Sequence, residues 1–158
     1  MENIQKVKGT IDSLGGGASL PGKAVRTNFV IKTADGKLKV FKTVSALGLV
    51  ANYTEVGVSG TFHILKIGGD NFLLLAIERD DGSEIVDMDA YEREYKNCKS
   101  INGSGNFIVV LGVLLLPIII GLFLIPKGFS IKKGMKEFIK YNPESLKSYL
   151  SKEQLEIS

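Results

Sequence analysis

One stretch of the sequence, Gly17 to Lys23, has the G-x-x-x-x-G-K spacing of a phosphate-binding loop. In such a loop, backbone amides and the lysine hold phosphate oxygens, and a Ser or Thr after the lysine holds Mg²⁺. Here the next residue is Ala24, and a strand-like run follows where a helix would be needed. We therefore interpret this stretch as a flexible loop between two strands, in which Lys23 is a candidate ligand contact.

The other residues whose side chains could take part in catalysis or metal binding lack, at a suitable spacing in the sequence, the further residues that such a site needs. His63 and Cys98 are the only His and Cys, which excludes finger-type and three-His zinc sites. An acidic cluster surrounds the Asp81-Gly82 turn, and its spacing does not match a calcium-binding EF-hand loop. Its members are Glu78, Asp80, Asp81, Glu84, Asp87 and Asp89. We expect no catalytic residue, no metal and no cofactor, and therefore no enzyme.

The basic residues offer a binding face instead. Residues 1–60 carry eight basic and four acidic side chains, whereas residues 61–90 carry two basic and seven acidic ones. Alternation places Lys37, Lys39 and Phe41 on one strand face, where a base could stack on the ring with a lysine at its phosphate. Phe41 is also a candidate for the core. The predicted ligand or partner face is Lys23, Arg26, Lys32, Lys37, Lys39 and Phe41.

The elements that must position these residues are short strands with a period of two. The predicted strands are 7–13, 29–33, 38–42, 60–67, 72–77 and 84–88. Asp35-Gly36 and the turn at 68–71 each separate two of these runs, which is typical of β-hairpins. Residues 44–51 lack alternation and are predicted to form a short helix. Short strands at this spacing favour a sandwich or a barrel.

The order of three strands, a short helix and two or three strands resembles an OB-fold. The resemblance rests on Val7-Lys-Gly-Thr-Ile11, on residues 29–37 and on Val56-Gly-Val-Ser-Gly60, and it covers residues 4–88. It holds at the level of the fold, identifies no family and carries over no catalytic residue. It implies a ligand face on the second and third strands of the barrel. An SH3-like barrel is the alternative.

A charge-free run at 107–125 predicts a single transmembrane helix. A helix of this length reaches ~28 Å, close to the ~30 Å hydrocarbon core of a bilayer. Pro117 lies in the middle of the run, where it either kinks one span or turns a re-entrant hairpin.

The residues after the apolar run are predicted to form a basic amphipathic helical tail. Such a helix lies on an anionic membrane surface. The predicted membrane-surface contacts are Lys127, Lys132, Lys133, Lys136 and Lys140. A second helix is expected from Pro143, capped by Asn142.

The orientation in the membrane is indicated by two opposed signals. Three basic residues precede the apolar run within twenty positions and five follow it, which favours a cytoplasmic tail. The N-terminus lacks the pattern of a secretory signal, which favours a cytoplasmic barrel in a bacterial inner membrane. A re-entrant anchor would satisfy both signals.

The predicted fold class is mainly β: a small five- to six-stranded OB-like β-barrel with one short helix, then a transmembrane helix and a helical tail. The regions are a barrel at 1–90, a juxtamembrane linker at 91–106, the span at 107–125 and the tail at 126–158. The functional hypothesis is a membrane-anchored module that scaffolds or recruits a protein partner, or a small subunit of a membrane complex. The alternative is a membrane-tethered binder of single-stranded nucleic acid or nucleotides.

Overall fold

Strands dominate the N-terminal part of the chain in the computed structural model, which describes residues 3–100 and 136–157. The strands are β1 (Ile4–Ser13), β2 (Gly17–Leu20), β3 (Lys23–Thr33), β4 (Leu38–Leu47), β5 (Ser59–Gly68), β6 (Asn71–Glu78) and β7 (Glu84–Val86). A 3-10 helix covers Gly48–Tyr53, and α-helical residues follow at 88–100 (α1), 136–139 (α2) and Pro143–Ile157 (α3). Two compact units are present, Met1–Tyr91 and Glu92–Ser158.

Five of the strands close into a barrel. Going round it, β1 pairs with β3, β3 with β4, β4 with β6, β6 with β5, and β5 with β1. The pairing of β4 with β6 is parallel and the other four are antiparallel. The two remaining strands are additions, because β2 pairs with β3 and β7 pairs with β6. This order, with the 3-10 helix between the third and fourth barrel strands, is consistent with an OB-like barrel.

The closure depends on β1, which pairs with β5 along its first half and with β3 along its second. Gly9 lies where the two pairings overlap, opposite both Gly60 and Thr33. A Cβ atom on Gly9 would lie 2.3 Å from the Lys32 carbonyl oxygen, so only glycine allows β1 and β3 to approach this closely.

The barrel encloses one hydrophobic core, to which every barrel strand and the 3-10 helix contribute. The rings of Phe29 and Phe62 meet edge to face with their centroids 6.4 Å apart. The core comprises Val7, Ile11, Phe29, Ile31, Phe41, Val44, Ala46, Val50, Phe62, Ile64, Leu74 and Ile77. The period-two pattern of the sequence therefore reflects inward and outward positions on the barrel wall.

The prediction of a mainly β fold with a small barrel of five to six strands is confirmed, since five strands close the barrel. Three local predictions are wrong. Residues 44–47 continue β4 instead of starting a helix, because Val44 and Ala46 pair with β6 and enter the core. The expected flexible loop at 17–23 contains β2 and its turn to β3. The last strand ends at Val86, and α1 occupies positions 88–100.

The second unit, Glu92–Ser158, is helical where the structure describes it. The side chain of Asn142 accepts a hydrogen bond from the Glu144 amide at 3.1 Å, so the predicted cap and start of α3 are confirmed. Leu146 and Leu150 lie on its buried side. Lys147 on α3 forms an ion pair with Glu92 on α1, with the nitrogen 2.7 Å from the carboxylate oxygen.

The predicted transmembrane helix at 107–125 lies outside the described residues, and so do Lys127, Lys132 and Lys133. Among residues 3–100 and 136–157, no helix combines the length and the apolar character needed to cross a bilayer. Of the other predicted membrane contacts, Lys136 is exposed and Lys140 forms an ion pair with Glu137 at 2.7 Å.

Candidate binding face on strands β3 and β4

A bend in the β3–β4 hairpin decides which side chains face outward. Asn28 adopts a left-handed conformation, with φ at 46°, and the strand pairing is interrupted where it would face Lys42. Asn is among the residues that tolerate this conformation best. In β4 the core residues are Phe41, Val44 and Ala46, so the alternation changes phase at the bend.

Phe41 belongs to the barrel core. Its side chain is 4% exposed and packs edge to face against Phe72, with the ring centroids 5.1 Å apart. The structure therefore gives Phe41 the core position that the sequence left as its alternative, and the ring is not available for a base to stack on. Phe29, the other aromatic residue of these two strands, is also buried.

The residues of the predicted basic face do not form one surface, because their side chains make different contacts. Arg26 donates a hydrogen bond from Nη1 to the Ser19 hydroxyl at 3.0 Å and one from Nε to the Thr54 carbonyl at 3.4 Å. It therefore ties β2 to the residue that follows the 3-10 helix. Lys37 forms an ion pair with Asp35 in the hairpin turn at 2.7 Å. Lys23 is half-buried at the start of β3.

Lys32 lies instead beside exposed aliphatic side chains. The register places Lys32 opposite Leu38 and Val30 opposite Val40, so these residues share the outer face of the hairpin. Leu38 is 58% exposed and Val40 is 62% exposed, whereas Val30 is almost covered. We call Lys32, Leu38 and Val40 the outer patch. Leu38 and Val40 were absent from the residues predicted to bind.

Next to the outer patch, Lys42 forms an ion pair with Asp70 of the β5–β6 turn, with the nitrogen 2.7 Å from the carboxylate oxygen. This hydrogen bond raises the pKa of Lys42 and lowers the pKa of Asp70. The ion pair joins the β3–β4 hairpin to the β5–β6 hairpin next to Thr43 and Asn71, where the pairing of β4 with β6 begins.

The first half of β4 is an open sheet edge. Its second half pairs with β6, but β6 begins at Asn71, opposite Thr43. On the side away from β3, no strand in the described part of the chain lies beside residues 38–42. The outer patch therefore adjoins backbone groups that have no strand partner among the described residues.

A second surface feature lies between the segment 53–59 and the turn that follows β6. It is an open groove of 670 Å³, lined in part by Tyr53, Val56, Arg79 and Asp80. Asp80 also approaches Lys8 on β1, at 3.9 Å between the charged atoms. This groove cannot be predicted from the sequence, because closure of the barrel brings its two sides together.

His63 is a buried polar residue of β5 that lies outside the barrel core. It is 2% exposed, and its Nε2 atom is 3.9 Å from a Glu78 carboxylate oxygen. Burial lowers the pKa of His63, Lys6 lowers it further, and Glu78 opposes both. Among the residues described, no group of three or more His, Cys, Asp or Glu side chains could hold a metal ion.

Comparison of the chain with protein-family models, with curated proteins and with solved structures gave no match. Function must therefore be inferred from the geometry of the barrel.

Proposed function

We propose that this chain is a membrane-anchored, non-enzymatic OB-like barrel that recruits a protein partner through the outer face of β3 and β4. The observation that carries the proposal is the exposure of Leu38 and Val40, which strand register places next to each other on that face. Exposed aliphatic side chains that are grouped together and bordered by charge are typical of protein-binding surfaces. Lys32 and Lys42 supply that border.

The membrane anchor in this proposal is the apolar run at 107–125, supported by the basic tail. A span of this length fits the bilayer core, and lysines near the surface add attraction to anionic lipids. The barrel would then present its partner-binding face close to the membrane.

Binding of single-stranded nucleic acid has less support. Such binding relies on aromatic side chains on which bases stack, together with a basic groove. Both aromatic residues of β3 and β4 are buried, and Arg26 is engaged by Ser19 and Thr54. Lys32 and Lys39 remain as phosphate contacts, which is a weak basis for this function.

The test compares two valines of nearly equal exposure. Val40 on the outer patch is 62% exposed and Val56 in the second groove is 60% exposed. We expect Val40→Glu to abolish recovery of the protein partner from solubilised membranes, while Val56→Glu leaves recovery unchanged. Equal recovery with both variants would contradict the proposal. Recovery of nuclease-sensitive material that falls steeply with salt would favour the nucleic-acid alternative.

A further inference from the structure

The open edge of β4 indicates how a partner is held, an inference that rests on the proposed function. We propose that residues 38–42 bind an extended acidic segment of the partner protein, which adds to the sheet as a strand beside β4. Edge strands recognise extended peptides in this way: main-chain hydrogen bonds give affinity, and alternate side chains give specificity.

The backbone supports this mode because no strand in residues 3–100 or 136–157 pairs with residues 38–42 on the side away from β3. In an antiparallel pair, alternate residues exchange both of their main-chain hydrogen bonds with the partner strand. Pairing with β3 therefore satisfies the main-chain hydrogen-bonding groups of only some residues in this stretch. About two or three of the five residues direct their N–H and C=O groups away from β3. In the part of the chain that the structure describes, the last contact on that side is the Thr43 amide with the Asp70 carbonyl, at 3.2 Å.

The side chains define the sequence pattern of the incoming strand. Its residues beside Leu38 and Val40 would lie over the outer patch and should be apolar. Its alternate residues would lie beside Lys39, which points to the other face of β4 and is exposed. A peptide that alternates apolar and acidic residues satisfies both requirements.

Charge favours a partner segment over a second copy of this chain. Neither Lys32 nor Lys39 forms an ion pair with any residue that the structure describes. Two β4 edges placed side by side would bring lysines of like charge together, which is destabilising in a cross-strand pair. Lysines on an edge strand discourage self-association in general, but they attract an acidic strand.

The test uses the full chain in detergent and a fluorescent peptide of alternating Val and Glu as the probe. We expect saturable binding by fluorescence anisotropy, and none with the matching peptide of alternating Val and Lys. Methylation of alternate backbone nitrogens in the Val-Glu peptide removes N–H donors without changing charge. It should weaken binding at least about tenfold, and because this arm uses the unaltered protein, it does not depend on the folding of a variant.

The variant arm compares two exposed lysines. Lys39→Glu should weaken binding of the Val-Glu peptide at least about tenfold, while Lys66→Glu on β5 should change it less than about twofold. Circular dichroism of both variants establishes that they are folded. No binding by the unaltered chain, or equal binding of the methylated peptide, would overturn strand addition. So would self-association of the chain that Val40→Glu abolishes.

Failure of this inference can be told apart from failure of the proposed function. If the peptide does not bind but partner recovery still depends on Val40, the partner docks with a folded surface and only strand addition is refuted. If recovery is also independent of Val40, both proposals are refuted.

Discussion

The buried histidine links the stability of the barrel to pH. His63 lies on β5 opposite Lys6 of β1, and its side chain is buried. The protonated ring loses hydration there and faces a nearby positive charge, so its pKa is lowered despite the opposing effect of Glu78. The unfolded chain therefore binds a proton at a higher pH than the folded barrel does.

We expect the free energy of unfolding to fall as the pH drops below about 6.5, the ordinary histidine value. Above that pH both states are neutral at His63 and the full stability is present. Below it, the loss is at most about 1.4 kcal/mol per pH unit until the lowered folded-state pKa is reached. Urea denaturation from about pH 7.5 to about pH 5.5 measures this slope. His63→Gln should flatten it, and an equally steep slope in that variant would assign the effect to other groups.

Gly9 gives a second prediction for a single residue. Gly9→Ala places a methyl group 2.3 Å from the Lys32 carbonyl oxygen, so β1 and β3 must move apart. We expect a loss of about 1–3 kcal/mol in the free energy of unfolding. Gly16→Ala is the matched control, because a Cβ atom there meets nothing within 4 Å. Equal effects of the two substitutions would show that Gly9 is not a close-contact site.

At the level of the elements, β2 depends on Arg26. All four residues of β2 are exposed, so little apolar burial holds the strand in place. Its links are its pairing with β3 and the hydrogen bonds of Arg26 to Ser19 and to the Ala18 carbonyl.

We expect Arg26→Ala to speed amide hydrogen exchange in residues 17–20 by at least about fivefold, which corresponds to about 1 kcal/mol. The exchange of core strands β5 and β6 should stay nearly unchanged, because the hydrogen bonds of Arg26 go to β2 and to Thr54. Lys32→Ala on the same strand is the control and should leave β2 protected. If the amides of residues 17–20 stay as protected in both variants as in the unaltered chain, strand pairing alone holds β2 in place.

The elements that the sequence predicts well are those whose pattern is local. Asp35-Gly36 lies between two alternating runs, and the structure has a hairpin there. By contrast, β2 has neither alternation nor burial and could not be recognised. The sequence predicts a helix at the end of β4 because the bend at Asn28 shifts the alternation of that strand.

The candidate binding face was only partly predictable for a related reason. Parity groups Lys39 with Phe41, but only closure of the barrel decides that this side is the inner one. The sequence does contain one indication of this face, because Leu38 and Val40 alternate with Phe41. A strand with apolar residues on both faces exposes one face to solvent unless another element covers that face. Whether another element covers a strand face depends on the tertiary fold, so the sequence alone does not decide which face of β4 is exposed.

At the scale of the whole molecule, charge is distributed unevenly along the chain. The first sixty residues are basic, residues 61–90 are acidic, and the segment after the apolar run is basic again. If the apolar run spans a membrane once, the barrel and the tail lie on opposite sides. If it turns at Pro117, they lie on the same side. The two arrangements differ in which ends of the chain a reagent outside the cell can reach.

Cys98 makes this testable, since it is the single thiol of the chain and lies in α1, before the apolar run. For a cytoplasmic barrel we expect a membrane-impermeant maleimide to label Cys98 only after cell lysis. Labelling in intact cells would place the barrel outside and exclude the nucleic-acid alternative. A chain carrying Cys98→Ser and Ser158→Cys then reports on the tail. If Cys98 is labelled only after lysis, labelling of this second thiol in intact cells is expected for a single span. In that case, protection of the second thiol until lysis would establish a re-entrant anchor with both ends in the cytoplasm.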